Sequence, residues 1–454
     1  MYRNAYASLI TLITIILAGS MFTHADDSIT ADGRIIYAAT SRLNTTVHVH
    51  DMSTGDDYAI SNTWAGTTVC PQLSPNNLHL AFIQLPIEDG IWRHGDETLA
   101  ISNVMTGEYR YIYSNGAISC PQWLENGHQL VYTVEDRVNS RTNIFRYDMN
   151  SGQNQLLAQH DSFRALQFDI ARDGTLVFTE VDERRGNIYA VPAQGGQITS
   201  IVSINRQISD VTFSPNDQYV SFMGSNRQSS EYYVYDRQTG QVLLVTNEIE
   251  DSVIDLMWSP DGQAFAFRTT TMSGNDNVSD LFGTGNNAYD GDIYIYNAPT
   301  NTLQSISDTP NIAEHTPIWS PDGSRLTYYA TDQTWSAIEL YNVANGAIHD
   351  LTENTTANAQ TTIKADWAPN NTGLAFIQNG ELYVHDMLNE TAQHLSRTLN
   401  PIDTFGWAGN SYNLAVQAQG NNNLRNVYVM NIFTGEMVEL NGAGDNQLFL
   451  TWAN

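Results

Sequence analysis

WSPDG occupies positions 258–262 and recurs letter for letter at 319–323, each time followed by an apolar run, QAFAF after the first and SRLTYY after the second. The five letters read as strand punctuation. A Trp ends one strand, Ser-Pro-Asp-Gly turns the chain, and the next strand begins. Pro presets φ for the second turn position, Asp accepts local backbone hydrogen bonds, and Gly takes the left-handed conformation that follows. A hairpin corner of this kind carries no chemistry, so its repetition speaks of architecture.

A second marker is more regular than the first. An extended segment rich in Tyr, Val and Ile ends in Asp or Asn, with Gly four positions on, as in VHVHDMSTG ending at Gly55, IFRYDMNSG at Gly152 and VYVMNIFTG at Gly435. The marker residues are Asp51, Asn103, Asp148, Pro192, Asp236, Asn297, Asn342, Asp386 and Asn431, and their successive gaps are 52, 45, 44, 44, 61, 45, 44 and 45. A fixed period near 45 with short strands and turn residues predicts an all-β fold, a β-propeller with one four-stranded blade per repeat. In each repeat strand one ends at a large apolar residue: Leu73, Trp123, Phe168, Phe213, Trp258, Trp319, Trp367, Trp407 and finally Trp452. Strand two follows the turn, strand three is the Tyr-rich marker, and strand four follows the Gly. The chain starts with strands two to four (RIIYAAT, VHVHD, YAIS) and finishes with a lone strand one, QLFLTW at 447–452. The last strand is therefore expected to complete the first blade and remove two exposed edges. The repeat count is nine, and a ring of eight with one repeat displaced is the alternative.

These repeats resemble the TolB-like, WD40-like propeller repeat. The residues that carry the likeness are Trp258 to Gly262, Trp319 to Gly323, Phe213 to Asp217, Trp367 to Asn371 and Leu73 to Asn77, each followed by a strand of the LAF kind. The resemblance covers the chain from about residue 33 onward and implies a propeller. It also suggests a subunit of an envelope assembly. The same repeat type builds the propellers of prolyl-oligopeptidase relatives, but no G-x-S-x-G nucleophile elbow occurs in this chain. TolB carries an α/β domain ahead of its propeller, whereas here the first strand begins within about ten residues of the expected cleavage point.

The bulk composition narrows the partners. The chain holds 49 acidic and 20 basic residues, a net charge of −29, and Lys364 is its single lysine. Such a surface repels phosphate backbones, so nucleic acid is not an expected partner. Residues 1–25 differ from the rest: Arg3, the apolar run LITLITIILA at 9–18, small residues up to Ala25, then Asp26 and Asp27. This is the pattern of an export signal cleaved after Ala25, leaving residues 26–454 as one secreted or periplasmic propeller domain. An uncleaved anchor over 5–22 is the competing reading. No later segment is apolar enough to span a bilayer, and a monomer is expected.

The two cysteines sit in the same tripeptide, Cys70-Pro71-Gln72 and Cys120-Pro121-Gln122, each three residues before the strand-one aromatic position. Innermost strands of neighbouring blades approach most closely, so a disulfide is expected between them, with two buried thiols as the alternative. Both long gaps fall between strands two and three. The first insert, at 84–97, carries Trp92, Arg93, His94, Asp96 and Glu97, and the second, at 269–291, carries Asp276 and Asp280. Long loops on a rigid scaffold are where binding concentrates, so both inserts are candidate binding surfaces, against the plain reading of solvated insertions. Asp276 and Asp280 also raise a calcium site, but Val278 stands in the middle ligand position and no Glu closes the loop, so a polar loop is favoured and no cofactor is expected. The eleven His show no metal spacing; His48, His50 and His385 read as rim or packing residues, and His315, beside Glu314, is a candidate ligand contact against the plainer reading of an ordinary residue. Asp210, Asp255, Glu248, Glu250 and Asp251 fall in what reads as blade-joining loops, without a pattern that nominates a general acid or base. The expected function is a non-enzymatic binding scaffold for a protein, peptide or cell-surface polysaccharide, acting through the loops around the channel mouth. A propeller enzyme of the glycan lyase or hydrolase type is the rival.

Overall fold

A computed structural model describes residues 33–453, apart from 42–43, 163–166, 181–184, 227–228, 248, 250, 271–290, 308, 310, 333–334, 353–354, 357–363, 397–398, 400, 421–422 and 441–445. The expected export signal therefore lies outside the described residues. Every regular element among the described residues is a β-strand.

The recurring turn is held by its own side chains. Ser259 Oγ donates to Asp261 Oδ1 at 2.6 Å and accepts from the Ala264 amide at 3.0 Å, while the Gly262 amide closes on the Ser259 carbonyl at 2.8 Å. The second copy repeats this with Ser320, Asp322, Arg325 and Gly323. Gly262 has φ +68°, and a Cβ there would stand 2.7 Å from Asn216 of the preceding repeat, so backbone and space both require glycine. The marker turns work the same way: the Gly55 amide bonds the Asp51 carbonyl at 2.8 Å, and Asp51 Oδ1 accepts from the Ser53 and Thr54 amides.

The Trp of the motif locks repeats together. Trp123, Trp319 and Trp407 each donate their indole N–H, at 2.9, 3.0 and 3.0 Å, to the carbonyls of Gln72, Met257 and Asp366. Those carbonyls belong to the residue just before the large apolar residue that ends strand one of the previous repeat, Leu73, Trp258 and Trp367. Trp258 instead donates to Ser221 Oγ at 2.9 Å.

Nine repeats are present among the described residues; the first three share one 13-stranded sheet, and the other six form separate sheets, five of four strands and one of five. Their first strands are Asn446–Ala453, Trp64–Leu73, Gln122–Trp123, Gln167–Ile170, Gln207–Phe213, Ser252–Trp258, Ala313–Trp319, Lys364–Trp367 and Ile402–Trp407. The carboxy-terminal strand completes the first repeat: Arg34–Ser41 pairs antiparallel with Asn446–Ala453, placing Arg34 opposite Ala453 and Ile35 opposite Trp452.

The chain divides into two compact units, one of residues 1–135, 145–155 and 362–454, the other of 136–144 and 156–361. In each unit the core lies between successive sheets, because alternation along a strand gives each sheet two faces to bury. In the first unit, Ile36, Val47, Val49 and Ile60 of repeat one meet Leu80, Phe82 and Ala100 of repeat two. In the second, Val177, Ile188 and Val202 of repeat four meet Ile208, Val220 and Phe222 of repeat five. Among the described residues, no helix is long and apolar enough to cross a membrane.

Candidate functional site

The first strand of a repeat carries an irregularity that the sequence motif does not announce. Pairing slips between Val69 and Gln72, Ser209 and Thr212, Ile254 and Met257, and His315 and Ile318. Inside each slip one residue has left-handed backbone: Cys70 (φ 52°), Asp210 (54°), Asp255 (61°) and Thr316 (55°). None is glycine, and such a conformation costs a side-chain-bearing residue roughly 1–3 kcal/mol. A bulge of this type re-aims the side chain it carries. All four stand three residues before the large apolar residue that ends strand one (Leu73, Phe213, Trp258 and Trp319), the offset already seen for the cysteine pair.

In the first unit the residues at this offset tie neighbouring repeats. Cys70 and Cys120 are joined in a disulfide with their Cα atoms 5.3 Å apart. Lys364 Nζ donates to Thr404 Oγ1 at 2.8 Å and to the Phe405 carbonyl at 2.5 Å, and lies 4.8 Å from the Phe405 ring centre. Loss of hydration lowers the Lys364 pKa and raises that of Asp366, two residues on, to about 6, each opposing the other's displacement.

In the second unit the same offset gathers charge. Asp255 Oδ2 accepts from Arg268 Nε at 2.6 Å. The Asp210 amide donates to Gln167 Oε1 at 2.8 Å. The Asp210 carboxyl is open to solvent yet crowded by protein, and the hydration it loses raises its pKa, with the Asp255 carboxylate adding to the effect. His315 is half-buried, 5.2 Å from the Tyr329 ring and 3.0 Å from Thr316 Oγ1. Burial first, then the Arg268 guanidinium, lowers its pKa to about 4, so the imidazole is neutral at pH 7. Tyr232 accepts from the Leu256 amide at 3.1 Å, and burial together with Asp210 and Asp255 holds its phenol protonated. This row combines a carboxyl whose pKa is raised, a carboxylate paired to Arg and a neutral imidazole. Such groups bind hydrogen-bonding ligands or exchange protons with them.

The residues nominated in the first insert occupy a different kind of element. The stretch 84–97 is a β-hairpin, not a loop: His79–Glu88 runs past the sheet and Ile91–Trp92 pairs back on it, setting Ile87 opposite Trp92 and Glu88 opposite Ile91. The corner is Asp89-Gly90, both left-handed (φ 51° and 75°), as a two-residue hairpin turn requires. Arg93 pairs with Glu88 at 2.8 Å, and its amide donates to the Pro86 carbonyl at 2.9 Å. Glu97 is 5 % exposed and accepts from the Gly95 amide at 2.7 Å, with His94 3.5 Å away, and burial raises its pKa. Glu97 therefore anchors the hairpin root from a buried position, unlike the exposed residues nominated beside it. Trp92, Ile91, His94 and Asp96 are exposed.

Other nominated residues separate. The hairpin lies in the first unit and His315 in the second. Asp276 and Asp280, and with them the calcium question, lie outside the described residues, as do Glu248 and Glu250. Asp210 and Asp255 are on first strands and not in the joining loops expected for them, because each strand starts several residues earlier than its apolar letters suggest. His48 and His50 both face Asp57, at 3.1 and 3.5 Å, and Asp57 also accepts from the Tyr37 hydroxyl at 2.7 Å.

No protein family's sequence profile matches the chain, and no characterised protein matches it by sequence. Solved structures do. The chain is similar to Porphyromonas gingivalis dipeptidyl peptidase 4, at 12% identity and a TM-score of 0.57, over 88% of this chain and 64% of that one. It thus spans less than two thirds of that peptidase. It is also similar to the β-propeller domain of the Trilobed protease from Pyrococcus furiosus (12%, TM-score 0.42, 71% and 97%). TolB from Acinetobacter baumannii is a third similar structure (14%, TM-score 0.32, 69% and 79%). The repeated four-stranded sheets and the likeness to the peptidase identify the chain as an all-β protein of β-propeller fold.

Proposed function

We propose that the chain is an exported, non-enzymatic binding scaffold that recognises a protein, peptide or cell-surface polymer through the 84–97 hairpin. The observation that carries this reading is the state of the hairpin. An insertion that is paired, cornered by Asp89-Gly90 and rooted by buried Glu97 still leaves Ile91 60 % and Trp92 45 % exposed at its tip. A structured element that leaves large apolar side chains in water fits a contact surface, because ordered aromatic side chains lose little freedom on docking. Export rests on the amino-terminal apolar run.

The test is selection of a displayed random peptide library on the full chain, followed by affinity measurement on Trp92→Ala. The reading predicts that enriched peptides lose about tenfold or more in affinity, or about 1.4 kcal/mol, on a variant that melts like the parent. Enriched peptides that bind Trp92→Ala unchanged refute it.

Catalysis is the second reading, favoured by Asp210 and Asp255, one carboxyl with a raised pKa beside another paired to Arg268. It predicts turnover of an oligosaccharide or peptide that Asp210→Asn abolishes. Turnover unaffected by that substitution rules this row out as the catalytic centre.

A further inference from the structure

The chemistry of the hairpin tip narrows the partner. Residues directly opposed across a hairpin share a face, so Trp92 lies with Ile87 on one side, and Ile91 with Glu88 on the other. Alternation puts Arg93 on the Ile91 side, where its guanidinium neutralises Glu88 at 2.8 Å. The two remaining charges of the tip are Asp89, at the corner, and Asp96, and among the described residues neither has an ion-pair partner. The tip is thus an exposed Trp and Ile flanked by two uncompensated carboxylates, on a chain of net charge −29.

Two forces then act on an approaching partner. At long range the negative field speeds the arrival of cations and rejects polyanions, including acidic glycans and anionic membrane surfaces. At short range Trp92 and Ile91 gain from covering by apolar side chains. A neutral glycan can hydrogen-bond the two carboxylates but leaves their charge uncompensated and gains nothing from the negative field. A basic polypeptide segment offers an apolar side chain to Trp92 and cations to the two carboxylates. We infer that the hairpin tip docks a basic polypeptide segment, which sets an apolar side chain against Trp92 and lysine or arginine side chains against Asp89 and Asp96. This inference rests on the binding-scaffold reading and adds the chemistry of the partner.

Three fluorescein-labelled peptides of equal length test it by anisotropy with the full chain: leucine with lysine, leucine with glutamate, and serine with lysine. The lysine–leucine peptide is expected to bind, and Trp92→Ala to weaken it about tenfold. Asp89→Asn with Asp96→Asn is expected to weaken it further and to flatten its salt dependence. The lysine–serine peptide is expected to bind more weakly and to ignore Trp92. If the glutamate–leucine peptide binds as well as the lysine–leucine one, and Trp92→Ala weakens both, the inference falls while the binding-scaffold reading stands. If the lysine–leucine peptide binds Trp92→Ala as well as it binds the parent, its attraction is diffuse charge and the inference falls. If no peptide shows Trp92-dependent binding, both fall. Matching thermal melts of the variants keep each outcome decisive.

Discussion

Replacing Glu314 with Gln should stabilise the protein above neutral pH and leave it unchanged in mild acid. The Glu314 side chain is 2 % exposed; Thr309 donates its hydroxyl to Oε1, and no group among the described residues bonds Oε2. Burial, with smaller contributions from the Asp292 and Glu339 carboxylates, raises its pKa from the ordinary 4.5 to about 7. The folded state therefore holds a proton that the unfolded state releases between those values. The stability this provides is complete below pH 4.5 and is lost as pH rises through about 7. A displacement of about 2.5 units corresponds to about 3 kcal/mol at most. Gln keeps the shape and never ionises, so the variant escapes this loss. Urea unfolding of parent and Glu314→Gln between pH 4 and pH 8 measures the difference. It should be near zero at the acid end and grow toward about 3 kcal/mol in the variant's favour at the alkaline end. A difference that is flat across the range, or favours the parent as pH rises, refutes the reasoning.

Reducing the Cys70–Cys120 disulfide opens a loop of sequence separation 50, which on chain-entropy grounds destabilises by about 4 kcal/mol; a urea midpoint unmoved by reductant contradicts this. Gly262→Ala and Gly435→Ala both place a side chain at positive φ, but only the first meets Asn216, at 2.7 Å, while the second meets open space. Gly435→Ala should destabilise by about 1–2 kcal/mol and Gly262→Ala by clearly more, and equal losses sink the packing argument. Trp319→Phe leaves the Met257 carbonyl without its indole donor and should destabilise by about 1–3 kcal/mol in denaturant unfolding. A loss under half of the lower figure contradicts the lock between repeats.

The architecture was legible because it is written in turns and periods. WSPDG and the Asp-to-Gly marker each impose φ > 0 on a glycine, and only a few residue types satisfy such corners. The role of the Trp was not legible, since its indole bonds a backbone carbonyl that every residue possesses. The 84–97 insert reads as a loop by its length, although Asp89-Gly90 between Ile-Glu and Ile-Trp is the usual signal of a two-residue hairpin. Glu97 reads like the other acids of the insert, and only burial sets it apart. The first-strand bulges are hardest to foresee, because Cys70, Asp210, Asp255 and Thr316 are left-handed without being glycine. Their common offset from the large apolar residue ending strand one was nonetheless present in the sequence, and the cysteine pair pointed to it.

The central claim is that one repeat builds every sheet and that the last strand completes the first. Amide hydrogen exchange on the full chain and on a truncation lacking residues 446–454 tests it most directly. The pairing of Arg34–Ser41 with Asn446–Ala453 predicts slow exchange along both strands in the full chain and a marked loss of protection along Arg34–Ser41 in the truncation. Protection of Arg34–Ser41 that survives the truncation unchanged would contradict the account.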